Sequence, residues 1–160
     1  MNNKTVTNPD LQVFTQKGYS HITHKQLDNG IYVVRLLDTS NHAVDELLDY
    51  EIQLTENTSG SPLVLQLMDA RIGLPSIAYT IGRARHMMAA HPAKSPARVA
   101  IVYSRQQWVV TEVFFNLING LHIPNLKVRL LSDKEYDQAI EWLINPRKKQ
   151  TGKLNMPSGL

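Results

Sequence analysis

The chain contains no cysteine in 160 residues, so neither a disulfide framework nor a thiolate metal site can hold it together. No apolar run approaches the roughly 18 residues that a membrane-spanning helix needs. The opening residues, Met1 to Asp10, lack the apolar stretch of a secretory signal. The expectation is a protein not integral to a membrane, located in the cytoplasm. Signature motifs of nucleotide binding and nucleophilic catalysis are also missing: there is no G-x-G-x-x-G, no P-loop and no G-x-S-x-G. A hydrolase of unknown substrate is therefore the weakest functional reading, and no cofactor is expected.

What is present suits one α/β domain. With 42% apolar and 19% charged residues, a chain of this length buries roughly 70% of its unfolded surface, enough for a core without crosslinks. The net charge of +3 is unevenly spread. Residues 19–145 are slightly acidic, whereas Arg147, Lys148, Lys149 and Lys153 follow with no acid among them. A nucleic-acid module gathers its cations on a face of the fold, so no nucleic-acid partner is expected. Residues 1–18 read as an N-terminal tail, 19–145 as a single domain, and 146–160 as a basic, disordered C-terminal tail.

Along the chain, Asp28-Asn29-Gly30 separates residues 21–27 from the β-branched run Ile31–Leu36, which predicts a hairpin with a type I′ turn. Thr39, Ser40 and Asn41 offer caps to a helix with Val44, Leu47, Leu48 and Ile52 at helical spacing, and acids among them. Leu63–Met68 and Arg98–Tyr103 are nearly continuous apolar runs of strand length, as parallel strands covered on both faces require. Between them, Pro75 opens a helix carrying Ile77, Ile81, Ala84 and Met88, and His91-Pro92 closes it. A helix over 106–121 is apolar nearly all round. Leu126–Leu130 alternates, as a half-exposed strand does, and Ser132-Asp-Lys-Glu135 has the form of a capping box before a last helix with Tyr136, Ala139, Ile140 and Leu143 inward. The order β-β-α-β-α-β-α-β-α predicts a mixed, mostly parallel five-stranded sheet with an N-terminal hairpin and about four helices.

Two groups of residues stand out. Ligands of such sheets usually sit beyond the carboxyl ends of the strands, which gathers Asp69, Arg71, Ser76, Ser104 and Arg105 as a candidate anion site beside helix N-termini. The alternative is that Asp69 and Arg71 pair with each other while the serines cap helices. The apolar third helix is either wholly covered by the last helix and the sheet, or its Trp108, Phe114, Phe115 and Ile118 form a protein interface, a homodimer contact or an apolar pocket. No metal site is expected: His21 and His24 project to opposite faces of a strand, and His86 and His91 lie well apart around a helix. Arg83 and Arg85 make no single stripe and read as a solvated face.

Four segments carry a family resemblance: Gln26–Arg35, Leu65–Arg71, Arg98–Tyr103, and Leu130–Leu143 with its Ala-Ile-x-Trp-Leu close. In this order they resemble the STAS fold of anti-sigma factor antagonists, and more narrowly the small SpoIIAA-like bacterial proteins. The resemblance implies a non-catalytic binding or regulatory module that presents helix surfaces to a protein partner or to itself. Its lipid-binding relatives imply, as an alternative, a small-ligand module for an anionic or acyl compound. The phosphorylatable serine of the antagonists has no clear counterpart, since Ser76 is not preceded by Asp.

Overall fold

The computed structural model describes residues 18–92, 96–104, 108–120 and 122–147. Strands β1 (Ile22–Gln26) and β2 (Tyr32–Leu36) lead into α1 (Asn41–Asn57), β3 (Leu63–Leu67), α2 (Ile77–Ala90), β4 (Ala97–Tyr103), α3 (Trp108–Gly120) and β5 (Leu126–Ser132). A 3₁₀ turn (Asp133–Glu135) then feeds α4 (Tyr136–Ile144). The five strands lie side by side in chain order, with β1 antiparallel to β2 and every later pair parallel. The α/β class, the hairpin and the mixed sheet expected from the sequence are all present.

Local chemistry explains the helix starts. Ser40 caps α1 by accepting from the Ala43 N–H at 3.2 Å. Ser76 caps α2 by accepting from the Tyr79 N–H at 3.3 Å, so Pro75 lies just outside the helix rather than in its first turn. The Glu135 carboxylate accepts from the Ser132 N–H at 2.9 Å and from its hydroxyl at 3.0 Å. That back-reaching carboxylate fixes the turn from β5 into α4.

The sheet has two unlike faces. On one, Tyr32, Val34, Leu36, Val64, Val99 and Ile101 pack against Ala43, Leu47, Tyr50 and Leu54 of α1. On the other, Val33, Leu65, Ala100, Val102 and Leu131 pack against Ala139 and Leu143 of α4. Leu65 has no exposed surface, and burying a leucine so completely contributes roughly 1.5–3 kcal/mol. Helix α2 docks on α1 through Ala84 against Val44 and Leu48, and α3 contacts α2 and β5. In α2 only Thr80 and Ala84 are buried, not Ile77 or Ile81. Tyr136, read as inward, is exposed at the start of α4.

The hairpin forms with a different turn from the one expected. The Gly30 N–H donates to the Leu27 carbonyl at 2.9 Å, and the Leu27 N–H to the Ile31 carbonyl at 2.8 Å. Gly30 has φ of +82°, whereas Asn29 is not among the positive-φ residues. A three-residue loop of this kind joins a type I turn to a glycine bulge, and it needs positive φ once, not twice. A Cβ at Gly30 would meet nothing within 4 Å, so backbone strain alone sets the cost of a side chain there. Gly30→Ala should therefore destabilise the domain by about 1 kcal/mol, read as a lower urea midpoint with an unchanged slope; no change would show that the loop relaxes to another turn.

Candidate functional site

At the carboxyl ends of the strands, the structure brings Asp69, Arg71 and Ser104 together with Arg35, Tyr103, Asp133 and Tyr136 around an open depression of about 420 Å³. Asp69 and Arg71 satisfy each other there. The Arg71 Nε donates to Asp69 Oδ1 at 2.9 Å, its second guanidinium nitrogen to Oδ2 at 2.6 Å, and its backbone N–H to Oδ1 at 2.9 Å. The hydrogen bonds from Arg71 hold the Asp69 carboxyl well below the usual carboxylate range. Arg71 itself stands in solvent, so the pair adds at most about 1 kcal/mol to stability. Ser76 is not part of this group, being the cap of α2, and Arg105 lies outside the described residues. The Ser104 hydroxyl is buried and has no hydrogen-bond partner among the described residues.

Strand order accounts for the modesty of this rim. Ligand crevices at strand carboxyl ends open where successive crossovers leave for opposite faces. Here each step from β2 to β5 moves the same way across the sheet, so no such reversal occurs among the parallel strands.

A more enclosed space lies on the α1 face. An inner chamber of about 80 Å³ is bounded by Gln66 and Met68 of β3, Val99 and Ile101 of β4, Glu51 of α1, and Thr80, Ala84 and Met88 of α2. An outer chamber of about 450 Å³ adjoins it toward the amino ends of β3, β4 and β5, lined by Ile52, Pro62, Val64, Ala97 and Ile123. Glu51, Met88, Val99, Ile123 and Leu126 line both. The outer volume is within the range of small-molecule sites.

Polar groups in this apolar space are few. Gln66 is 8% exposed, in register between Val34 and Ile101 at the centre of the sheet. The Thr80 hydroxyl donates to the Ser76 carbonyl at 2.8 Å, so what it turns elsewhere is an acceptor. Glu51 makes no hydrogen bond or ion pair with any described residue. Burial raises its pKa from the ordinary 4.5 to about 7, because a carboxylate loses its hydration among apolar neighbours. An unpaired acid in such a place is a functional candidate. The sequence reading missed it, since Glu51 sits in a run of acids on an amphipathic helix; the one local signal was Gln66, the lone polar residue inside an apolar strand.

Several other titratable groups are tied into the frame. His21 meets Asp38 at 2.6 Å, which raises the histidine pKa and brings Asp38 down to about 2. Glu46 accepts from the N–H groups of Ser20 and His21 at 3.1 and 2.7 Å, fastening α1 to the start of β1. Arg83 pairs with Asp45 at 2.8 Å and His91 with Glu56 at 2.9 Å. No group of three or more metal-ligating side chains occurs among the described residues.

Of the candidates in α3, Phe115 is half-buried, while the side chains of Trp108, Phe114 and Ile118 lie outside the described residues. The helix does expose an apolar stripe at i, i+4, i+8: Val109, Val113 and Leu117 are 62%, 50% and 45% exposed. No helix among the described residues is long and apolar enough to cross a membrane. No family model matches the chain, and neither a curated protein nor a solved structure matches it.

Glu51 has a measurable consequence for stability. Its folded pKa lies above its unfolded one, so its stabilising contribution is complete below about pH 4.5 and is lost as pH rises to about 7. The loss amounts to roughly 3 kcal/mol at about 1.4 kcal/mol per pH unit. Glu51→Gln should therefore melt close to wild type near pH 4.5 and progressively above it between pH 5 and 7, with a constant gap at higher pH; parallel melting curves across that range would place the carboxyl in water.

Proposed function

We propose that this chain is a non-catalytic binding module, of the STAS-like kind its sequence resembles, whose ligand is a small and largely apolar molecule held between the sheet and helices α1 and α2. The observation that carries this reading is the pair of adjoining chambers, with Glu51 on the walls of both and Gln66 on the inner wall, neither side chain hydrogen-bonded to a described residue. A domain gains nothing in stability by setting an acid among apolar side chains, where lost hydration raises its pKa to about 7. A ligand that fills the space and meets those groups recovers that cost. The non-catalytic reading is favoured in that, among the described residues, the inner wall carries no His or Ser, and the proton of its Thr80 hydroxyl is spent on the Ser76 carbonyl. The anion site expected at the carboxyl rim is the poorer candidate, its Asp69 and Arg71 being already engaged with each other.

The test is calorimetric titration with octan-1-ol, an apolar probe with a single hydroxyl. Wild type should bind it, and Met88→Trp, which fills the wall shared by the chambers, should bind it at least about tenfold more weakly with an unchanged far-UV spectrum. Absence of binding to wild type overturns the reading.

A second reading, interaction through α3, is favoured by the exposed stripe of Val109, Val113 and Leu117. An exposed apolar stripe of this sort suits self-association. Light scattering should then report a dimer that Val113→Glu converts to a monomer; a monomeric wild type at 100 μM, an on-the-order-of concentration for weak dimers, removes it.

A further inference from the structure

We propose, taking the two chambers as the ligand site, that the ligand is a primary monoamine with an aliphatic or arylalkyl body, its ammonium group received by Glu51, Gln66 and Thr80. The chemistry follows from what the inner wall offers. Ionised Glu51 only accepts hydrogen bonds, the Thr80 hydroxyl has spent its proton on the Ser76 carbonyl, and the Gln66 amide can present its oxygen. A head group with three donors and a positive charge matches this set, whereas a carboxylate or phosphate would bring only further acceptors and a like charge. A neutral alcohol satisfies one acceptor and leaves the acid without a counterion.

The outer chamber limits the rest of the molecule. Its walls are mainly apolar, with Ile52, Pro62, Val64, Ala97 and Ile123 along the path, and they suit a hydrocarbon body. The charged and titratable groups that face the space besides Glu51 are Arg85 and His91 at the end of α2 and His122 before β5. His91 is engaged by Glu56 at 2.9 Å, and the His122 ring nitrogen lies 3.0 Å from the Gly120 carbonyl. Arg85 at this level disfavours a second ammonium, so a diamine or polyamine does not fit. When the ammonium enters, the proton held on Glu51 leaves for solvent, and the ion pair replaces the protonated acid.

The experiment is titration of the full chain at pH 8 with octan-1-amine, octan-1-ol and octanoate, which share one body and differ in the head. The expected order is amine at least about tenfold tighter than alcohol, with octanoate weakest. In Glu51→Gln the amine should lose its advantage over the alcohol, and an unchanged far-UV spectrum separates lost charge from lost fold. Amine affinity should also drop about tenfold per unit below pH 7, with one proton released per amine bound. Equal binding of amine and alcohol in wild type, or octanoate binding most tightly, overturns the amine and leaves the apolar site standing. Failure of octan-1-ol to bind overturns the apolar site and the amine with it.

Discussion

The structure depends on one topological constraint: its parallel strands follow each other across the sheet in chain order. Right-handed crossovers that always step the same way deliver their helices to the same face. The α1 face accordingly receives α1 and α2, with α3 against α2, while the opposite face is left to α4 alone. On the crowded side the helices compete for sheet surface. Helix α1 takes the area over β1 and β2, and α2 reaches the core mainly through α1 and the small Ala84. The space that neither helix fills is the pair of chambers. A sheet whose order reversed midway would share its helices between faces and open its crevice at the carboxyl rim instead.

Much of this frame is legible in the residues themselves. The runs Leu63–Met68 and Arg98–Tyr103 announce strands buried on both sides, because a continuous apolar segment of that length has no solvent face to spare. Ser40, Ser76 and Glu135 announce helix starts through their hydrogen-bonding reach. The hairpin is legible in Asn29-Gly30, but its turn type is not, since Gly30 serves equally in a two-residue loop and in a bulge. The stripe of α2 is legible as well, since Ile77, Ala84 and Met88 do face the inner chamber; how deeply each is buried depends on which neighbours meet it, and periodicity does not contain that information.

The candidate site was far less legible, for a physical reason. Glu51 belongs to α1, where Asp45, Glu46 and Asp49 precede it, and each acid finds a different fate. Tyr79 and Arg83 hold Asp45, the N–H groups of Ser20 and His21 hold Glu46, and Tyr19 donates to Asp49 at 2.8 Å. Glu51 alone of these turns toward the chambers. Such a distinction between chemically similar side chains arises only when the partners are in place. The rim residues were the opposite case: Asp69 and Arg71 are conspicuous in sequence, yet their two-residue spacing lets them close on each other before any ligand arrives.

The chambers open toward the amino ends of the strands, and the Asp69–Arg71 clasp lies beyond their carboxyl ends. Only the outer chamber is remote from that clasp, because the inner one reaches Met68, which also borders the rim. A residue shared in this way couples its two neighbours, so a second specificity grafted onto the idle rim spares the first only where Met68 is left untouched.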